Sequence, residues 1–292
     1  MYWQRKEKEP NPDAEIIEKI LEIRKEHEDW GLKRIHGYLS KIMGMNINIK
    51  KVHRIIKENN LQVRTYHKNN GKLNTYKGTV GKVADNIIDR NFKSDKPHKK
   101  ITTDTTEFKY YEKDKGGNYQ IKKAYLNPFL DMFNSEIISY SISKRPNYAA
   151  VEDALNEALE ITKDQKDVIY HSDQGWLYQI PRYVNKLKDN GITQSMSRKG
   201  NCLDNSIMEN FFSILKQEMY NKKVFYSFEE LEQAIIGYID YYNHRRIKEK
   251  LNFMSPVEYR LKNEASMKIN ETPFSIEKGL TIKNHADSYF YK

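Results

Sequence analysis

The sequence predicts an α/β protein: a mixed five-stranded sheet flanked by helices, preceded by a small all-α helix-turn-helix unit. Three observations predict it. Short amphipathic runs of helical period crowd residues 14–59 and carry a concentrated positive charge. Three strand-like runs follow one another between residues 100 and 143. Helix-type and strand-type periodicities then alternate to about residue 261, as in a sheet covered by helices.

The composition supports folded domains. A chain of 292 residues with 38% hydrophobic residues can bury one large core or two modest ones, and 21 Tyr with 11 Phe argue against wholesale disorder. The net charge of +10 is unevenly placed: residues 30–100 hold 17 basic and 4 acidic residues, whereas residues 101–292 hold 27 of each. Such a segment attracts a polyanion by neutralising phosphates; the plainer reading is a solvated surface. A lone cysteine, Cys202, excludes an intrachain disulfide and a multi-cysteine zinc site, and fits a reducing, cytoplasmic setting. The polar N-terminus carries no apolar signal core, and no run reaches the ~20 apolar residues of a membrane span, so no membrane partner is expected.

Residues 14–29 read as the first helix, with Ile16, Ile20 and Ile23 on one face and Asp13 placed to cap it. Residues 32–43 read as the second, ending at Gly44. In the third, residues 48–59, Ile49, Val52, Ile55 and Ile56 line one face, while Lys50, Lys51, Arg54 and Lys57 line the other. An exposed basic third helix matches a helix-turn-helix unit; an ordinary helical bundle is the alternative. The domains expected are a tail over 1–13, the helical unit over 14–66, a basic linker over 67–98, an α/β core over 99–263 and a tail over 264–292. Within the linker, residues 84–91 read as a short helix. In the core, strands are expected at 100–111, 124–133, 136–143, 167–171 and 192–196. Helices are expected at 148–161, 181–190, 205–219, 227–245 and, briefly, 255–261.

Three carboxylates stand out by context. Asp104 interrupts a run rich in β-branched residues, Ile101-Thr-Thr-Asp-Thr-Thr-Glu-Phe108, where an unpaired charge is costly. Asp173 follows a strand, in Val168-Ile-Tyr-His-Ser-Asp-Gln-Gly175, where α/β proteins place chemistry. Glu209 shares a helix face with Asn205 and Lys216, opposite Met208, Phe211 and Leu215. Converging, the three would offer hard oxygen donors for the two divalent cations that phosphoryl transfer uses. An isolated acidic residue is more often a surface charge or a cap, and Asp204 reads as the cap of this helix. His171, two residues before Asp173, reads as a supporting residue that orients a carboxylate or the loop. Trp176 and Tyr178 read equally as base-stacking or buried residues, and Tyr241, Tyr242, His244, Arg245 and Arg246 as a DNA-binding face or helix packing.

These residues resemble the integrase-core transposases of bacterial insertion sequences, specifically the second-frame product of insertion-sequence family three. The motifs are Thr102-Thr-Asp104-Thr-Thr-Glu-Phe108, His171-Ser-Asp173-Gln-Gly175, and Ser197 to Asn205 running into Met208-Glu209-Asn-Phe-Phe212. They continue through Lys216, Tyr241-Tyr-Asn243-His-Arg-Arg246 and Ser255-Pro-Val-Glu-Tyr259, and thirty-five residues separate Asp173 from Glu209. Upstream, Trp30-Gly-Leu-Lys33-Arg34-Ile-His36 and Asn48-Ile-Lys-Lys51-Val-His-Arg54 resemble the family's DNA-binding segment. The resemblance covers residues 15–262 and departs at Ile101, where the family often has Trp.

The resemblance implies an RNase-H-like integrase core using two Mg²⁺ or Mn²⁺ ions held by Asp104, Asp173 and Glu209. It implies that the protein nicks element ends and joins the freed 3′ hydroxyl to DNA. Double-stranded DNA would be met by Lys33, Arg34, Lys50, Lys51, Arg54, Lys57, Asn205 and Lys216. It implies a homo-oligomer on DNA, and an upstream-frame helix-turn-helix and leucine-zipper partner, since this chain starts at Met1 without that region. The alternatives are a catalytically silent DNA-binding remnant or regulator, and an RNA-degrading nuclease on the same fold.

Overall fold

The computed structural model describes residues 11–63 and 83–271. The start of the expected first tail, residues 64–82 and the tail from 272 lie outside the described residues.

Three helices form the N-terminal unit: α1 (Ala14–Glu26), α2 (Leu32–Gly37), which runs on through a π-turn at Tyr38–Ile42, and α3 (Ile49–Glu58). The expected faces pack inward, with Ile20, Ile35, Leu39 and Val52 fully buried around Trp30. Ile49 is the exception and stays exposed at the start of α3. Gly44 adopts φ +70°, the left-handed turn that ends the second helix. Asp13 does not cap α1; its carboxylate faces Lys51 at 2.9 Å and Arg54 at 2.6 Å, because two cations compete better for it than a backbone amide.

The sheet contains β1 (Lys100–Thr103), β2 (Thr106–Lys113), β3 (Tyr119–Asp131), β4 (Ile137–Ser143), β5 (Ile169–Ser172) and β6 (Thr193–Met196). β1 and β2 both lie antiparallel to one edge of β3, so they are one strand broken at Asp104 and Thr105; counted that way the sheet has the expected five. β4 lies on the other edge of β3, and β1, β5 and β6 run parallel. The break has a local cause: Thr105 donates its amide to the Asp104 side chain at 2.7 Å, removing it from the ladder.

Helices α4 (Tyr148–Thr162) and α5 (Pro181–Asp189) cover one face, around Ile101, Phe129, Leu155 and Tyr170. Helices α6 (Ser206–Glu218) and α7 (Phe228–His244) cover the other, around Phe108, Leu126, Phe211 and Ile235. The last helix, α8 (Pro256–Glu271), is longer than the short one expected. It starts with a capping box: Glu258 donates its amide to the Ser255 hydroxyl, and Ser255 donates its amide to the Glu258 carboxylate.

Two expectations about the linker fail. Residues 84–91 form turns, not a helix, and residues 83–98 belong to the core rather than to a tether. Met196 donates its amide to the Asp85 carbonyl, Ile87 and Ile88 donate theirs to the Ser195 hydroxyl, and Ile88 is buried. The segment covers the edge strand β6, whose unpaired groups need partners.

The helical unit is docked on the core. Ile247, from the turn after α7, completes the unit's own hydrophobic cluster, and Trp30 donates its indole N–H to the Tyr241 hydroxyl at 3.2 Å. The Phe253 ring fills the space that a Cβ on Gly37 would need, with a ring carbon 2.0 Å from that position. Gly37→Ala must therefore unseat the ring. Overpacking costs about 1–3 kcal/mol, against which helix propensity returns about 1 kcal/mol. The expected outcome is a net loss of about 1 kcal/mol, read as a lower urea midpoint at unchanged slope.

Candidate active site

The two aspartates are brought together by strand register. β1 and β5 are parallel, with Ile101 opposite Tyr170 and Thr102 opposite His171. Continuing that register two residues places Asp104 beside Asp173 at the carboxyl ends of neighbouring strands, about 5 Å apart along the backbone. Both are half-buried. Burial, the Asp173 charge and, less strongly, the Glu209 charge push the Asp104 carboxyl well above the usual range, and burial raises Asp173 too. Two like charges in a poorly solvated site resist joint ionisation unless a cation joins them.

Each aspartate is held from below. Asp173 accepts from the Gly175 amide at 2.8 Å, and a Cβ on Gly175 would lie 2.8 Å from that same carboxylate oxygen. The residue after Asp104, Thr105, donates its hydroxyl to Asn127 at 2.8 Å and faces the Tyr178 hydroxyl at 3.3 Å. Tyr178 is buried, and desolvation beside both aspartates keeps its phenol protonated. It is thus a wall of the site and not a stacking platform, whereas Trp176 remains 38% exposed.

Glu209 arrives on α6. Asn205, just before the helix, is buried and accepts the Thr102 hydroxyl at 2.7 Å, which pins the start of α6 to β1 two residues before Asp104. Asn205 therefore holds the helix and is not presented to DNA, contrary to the expectation. Glu209 lies one turn further along the same face. It is half-buried, and burial raises its carboxyl. Among the described residues, no three His, Cys, Asp or Glu side chains are grouped tightly enough to hold an ion. Lys216, on the Glu209 face, stands over the Phe108 ring, its pKa lowered by desolvation and partly restored by Glu107 and Asp104.

Asp204 is not the cap of α6. It is buried and accepts from Arg198, Arg90 and Asn86, and the Arg198 guanidinium at 2.8 and 2.9 Å holds its carboxyl well below the usual range. His171 is fully buried. Its Nε2 meets the Asp204 carbonyl at 3.0 Å, which can only accept, so that nitrogen donates and Nδ1 accepts the Ser195 hydroxyl at 2.9 Å. Burial lowers its pKa and keeps it neutral. It orients the loop before α6 and touches neither aspartate.

Residues 94–202 and 209–263 match models of the integrase core domain, and residues 11–69 match an HTH-like domain. The putative transposase InsK for insertion sequence element IS150 of Escherichia coli K12 is 40% identical over 86% of this chain and 84% of its own length. An uncharacterized transposase-like protein of Haemophilus influenzae is 46% identical over 74% of this chain and 94% of its own. This chain belongs to the insertion-sequence transposases with an integrase core. Among solved structures, the catalytic core of HTLV-2 integrase in complex with magnesium aligns with 56% of this chain and 97% of its own, at 16% identity and a TM-score of 0.42.

The transposase's expected DNA contacts divide. On α3, Lys50 and Lys57 are exposed and carry no ion pair among the described residues, while Lys51 and Arg54 share Asp13. Lys33 is exposed and pairs with Glu249 at 3.0 Å. Arg34 turns inward to Glu218 at 3.3 Å, with one of its guanidinium nitrogens buried. Of the α7 motif, Tyr242 and Arg246 are buried and Tyr241 holds Trp30, whereas His244 and Arg245 are exposed beside Asp240. Asn243 exchanges two hydrogen bonds with the Ile137 backbone, tying α7 to β4. No helix among the described residues is long and apolar enough to cross a membrane.

An acid whose folded pKa is raised contributes stability at low pH that is lost as pH rises through the folded pKa. Asp104→Asn removes that loss. In a chelator at pH 7 the variant should melt higher than wild type, by about 2–4 °C per kcal/mol recovered. The gap should close as pH falls towards the ordinary aspartate range; a gap independent of pH would contradict the origin assigned to it.

Proposed function

We propose that Asp104, Asp173 and Glu209 form the catalytic site of a polynucleotidyl transferase that cleaves insertion-sequence ends and joins the freed 3′ hydroxyl to DNA. The observation that carries this reading is the placement of two raised, mutually repelling aspartates at adjacent strand ends, with Glu209 on a helix pinned to the same strand. The donor chemistry suits Mg²⁺ or Mn²⁺: only carboxylate oxygens, each raised by burial, with a charge excess that a divalent cation relieves. Bound there, the ions would activate the attacking oxygen and stabilise the leaving one.

The protein's own groups do the rest. Asp104, on whose carboxyl the Asp173 and Glu209 charges both act, would hold the ions together with Asp173, which the Gly175 amide fixes in place. Glu209 would complete the donor set from α6. Lys216 stands beside this face as the cation for the phosphate at the cut end. The exposed lysines of α3 give the helical unit its duplex contacts, and synapsis of two ends calls for an oligomer on DNA.

A second reading, a silent DNA-binding regulator, rests on Glu209 acting on Asp104 less strongly than Asp173 does, with no closed three-carboxylate group among the described residues. Strand cleavage and joining on a labelled element-end duplex with Mg²⁺ or Mn²⁺, wild type beside Glu209→Gln, separates the two. Products from wild type that fall at least a hundredfold in the variant support catalysis. Binding without cutting by both, with or without an upstream-frame partner, supports the regulator. Gly175→Ala gives a finer probe: its Cβ displaces the Asp173 carboxylate, so cleavage should fall at least tenfold while the far-ultraviolet spectrum and DNA affinity hold.

A further inference from the structure

One buried ion-pair hub lies outside the catalytic machinery, on the back of the catalytic helix. Glu218 ends α6 nine residues after Glu209, a separation that puts the two carboxylates on opposite faces and about 14 Å apart along the axis. Its carboxylate accepts from Arg246 twice, at 2.8 and 2.7 Å, and from the Tyr238 hydroxyl at 2.9 Å. The fourth bond, at 3.3 Å, comes from Arg34 on α2 of the helical unit.

The two arginines are not equivalent. Arg246 is buried and bidentate, so it neutralises Glu218 whatever the helical unit does. Arg34 makes one long bond, and its second amino nitrogen is buried without a partner. Its half of the hub is therefore the detachable half, and it is the half that joins the two domains.

Resting on the catalytic reading above, we propose that Glu218 is a positioning residue through which the DNA-binding helical unit sets the catalytic helix. Asn205 fixes the start of α6 to β1, and the hub fixes its end. A helix held at both ends neither slides nor rotates, so Glu209 and Lys216 stay aligned with the aspartates. When the helical unit grips duplex DNA, Arg34 is drawn with α2, and its contact with Glu218 carries that grip to α6.

The test compares wild type, Arg34→Met and Arg34→Lys on two duplexes: the element's terminal base pairs alone, and the same end extended into the inner sequence that the helical unit reaches. Arg34→Met leaves the Glu218–Arg246 pair intact, so the core stays folded. Hydrogen exchange of α6 amides is read first, because it needs no catalysis. In wild type, the long duplex should slow α6 exchange about tenfold more than the short one, a factor within the range of coupled sites. In Arg34→Met that extra protection should vanish at saturating DNA, and Arg34→Lys should recover part of it. The ratio of long-duplex to short-duplex turnover should follow the same order. Equal α6 protection in wild type and Arg34→Met overturns the proposal, as does a variant whose only defect is weaker DNA binding. If wild type shows the protection but cuts neither duplex, the catalytic reading fails and the coupling stands.

Discussion

The site depends on a repulsion. Two carboxylates end adjacent parallel strands, and no cation among the described residues pairs with either: Lys216, which acts weakly on Asp104, stands over Phe108 and is itself poorly solvated. Such an arrangement persists only where the surroundings overdetermine it. Here the Thr105 and Gly175 amides, the Asn127 side-chain oxygen and the Tyr178 hydroxyl fix the backbone on which the charges sit. The strand break at Asp104 is part of the same arrangement, since the amide that leaves the ladder is the one that holds the carboxylate.

The other candidate side chains, Glu209 and Lys216, stand on α6, and the helix is positioned by groups outside that set. Asn205 answers Thr102; His171 and Asp204 lock the loop in front; Arg198 and Arg90 in turn satisfy Asp204. Each is buried or faces a buried partner, so each omission would leave a polar group without water or a bond. That explains why residues 83–98 belong to the core although their composition is that of a linker. Arg90 is one of the partners that keep Asp204 ionised, and Asn86 donates to the same carboxylate.

Much of this was legible in the sequence because it depends on short-range pattern. Alternation and helical period located the strands and most of the helices, and the oddity of Asp104 in a β-branched run pointed to the strand ends where it lies beside Asp173. The failures share one cause. Asp13 and Asp204 hold the sequence positions of helix caps, and the resemblance points Asn205 and Arg34 towards DNA, but each is claimed by a partner distant in the chain: Lys51 and Arg54, Arg90, Thr102, and Glu218 respectively. Polar side chains carry no periodicity that betrays such partners. Tyr178 and Gly175 were likewise invisible as site walls, since only the folded loop brings them against the aspartates.

Docking of the helical unit changes what its basic surface can do. On a free tether, Lys50 and Lys57 would bind duplex at any orientation relative to the carboxylates. With Ile247 inside the unit's own core, Phe253 against Gly37 and Trp30 on Tyr241, the unit and the core present one connected surface. A rigid pair of contacts loses less entropy on binding a duplex than two tethered ones, and it selects for the spacing between them. The spacing between the basic face of α3 and the carboxylates then becomes a property of packing: of a glycine too small to clash and of an arginine that spans the seam.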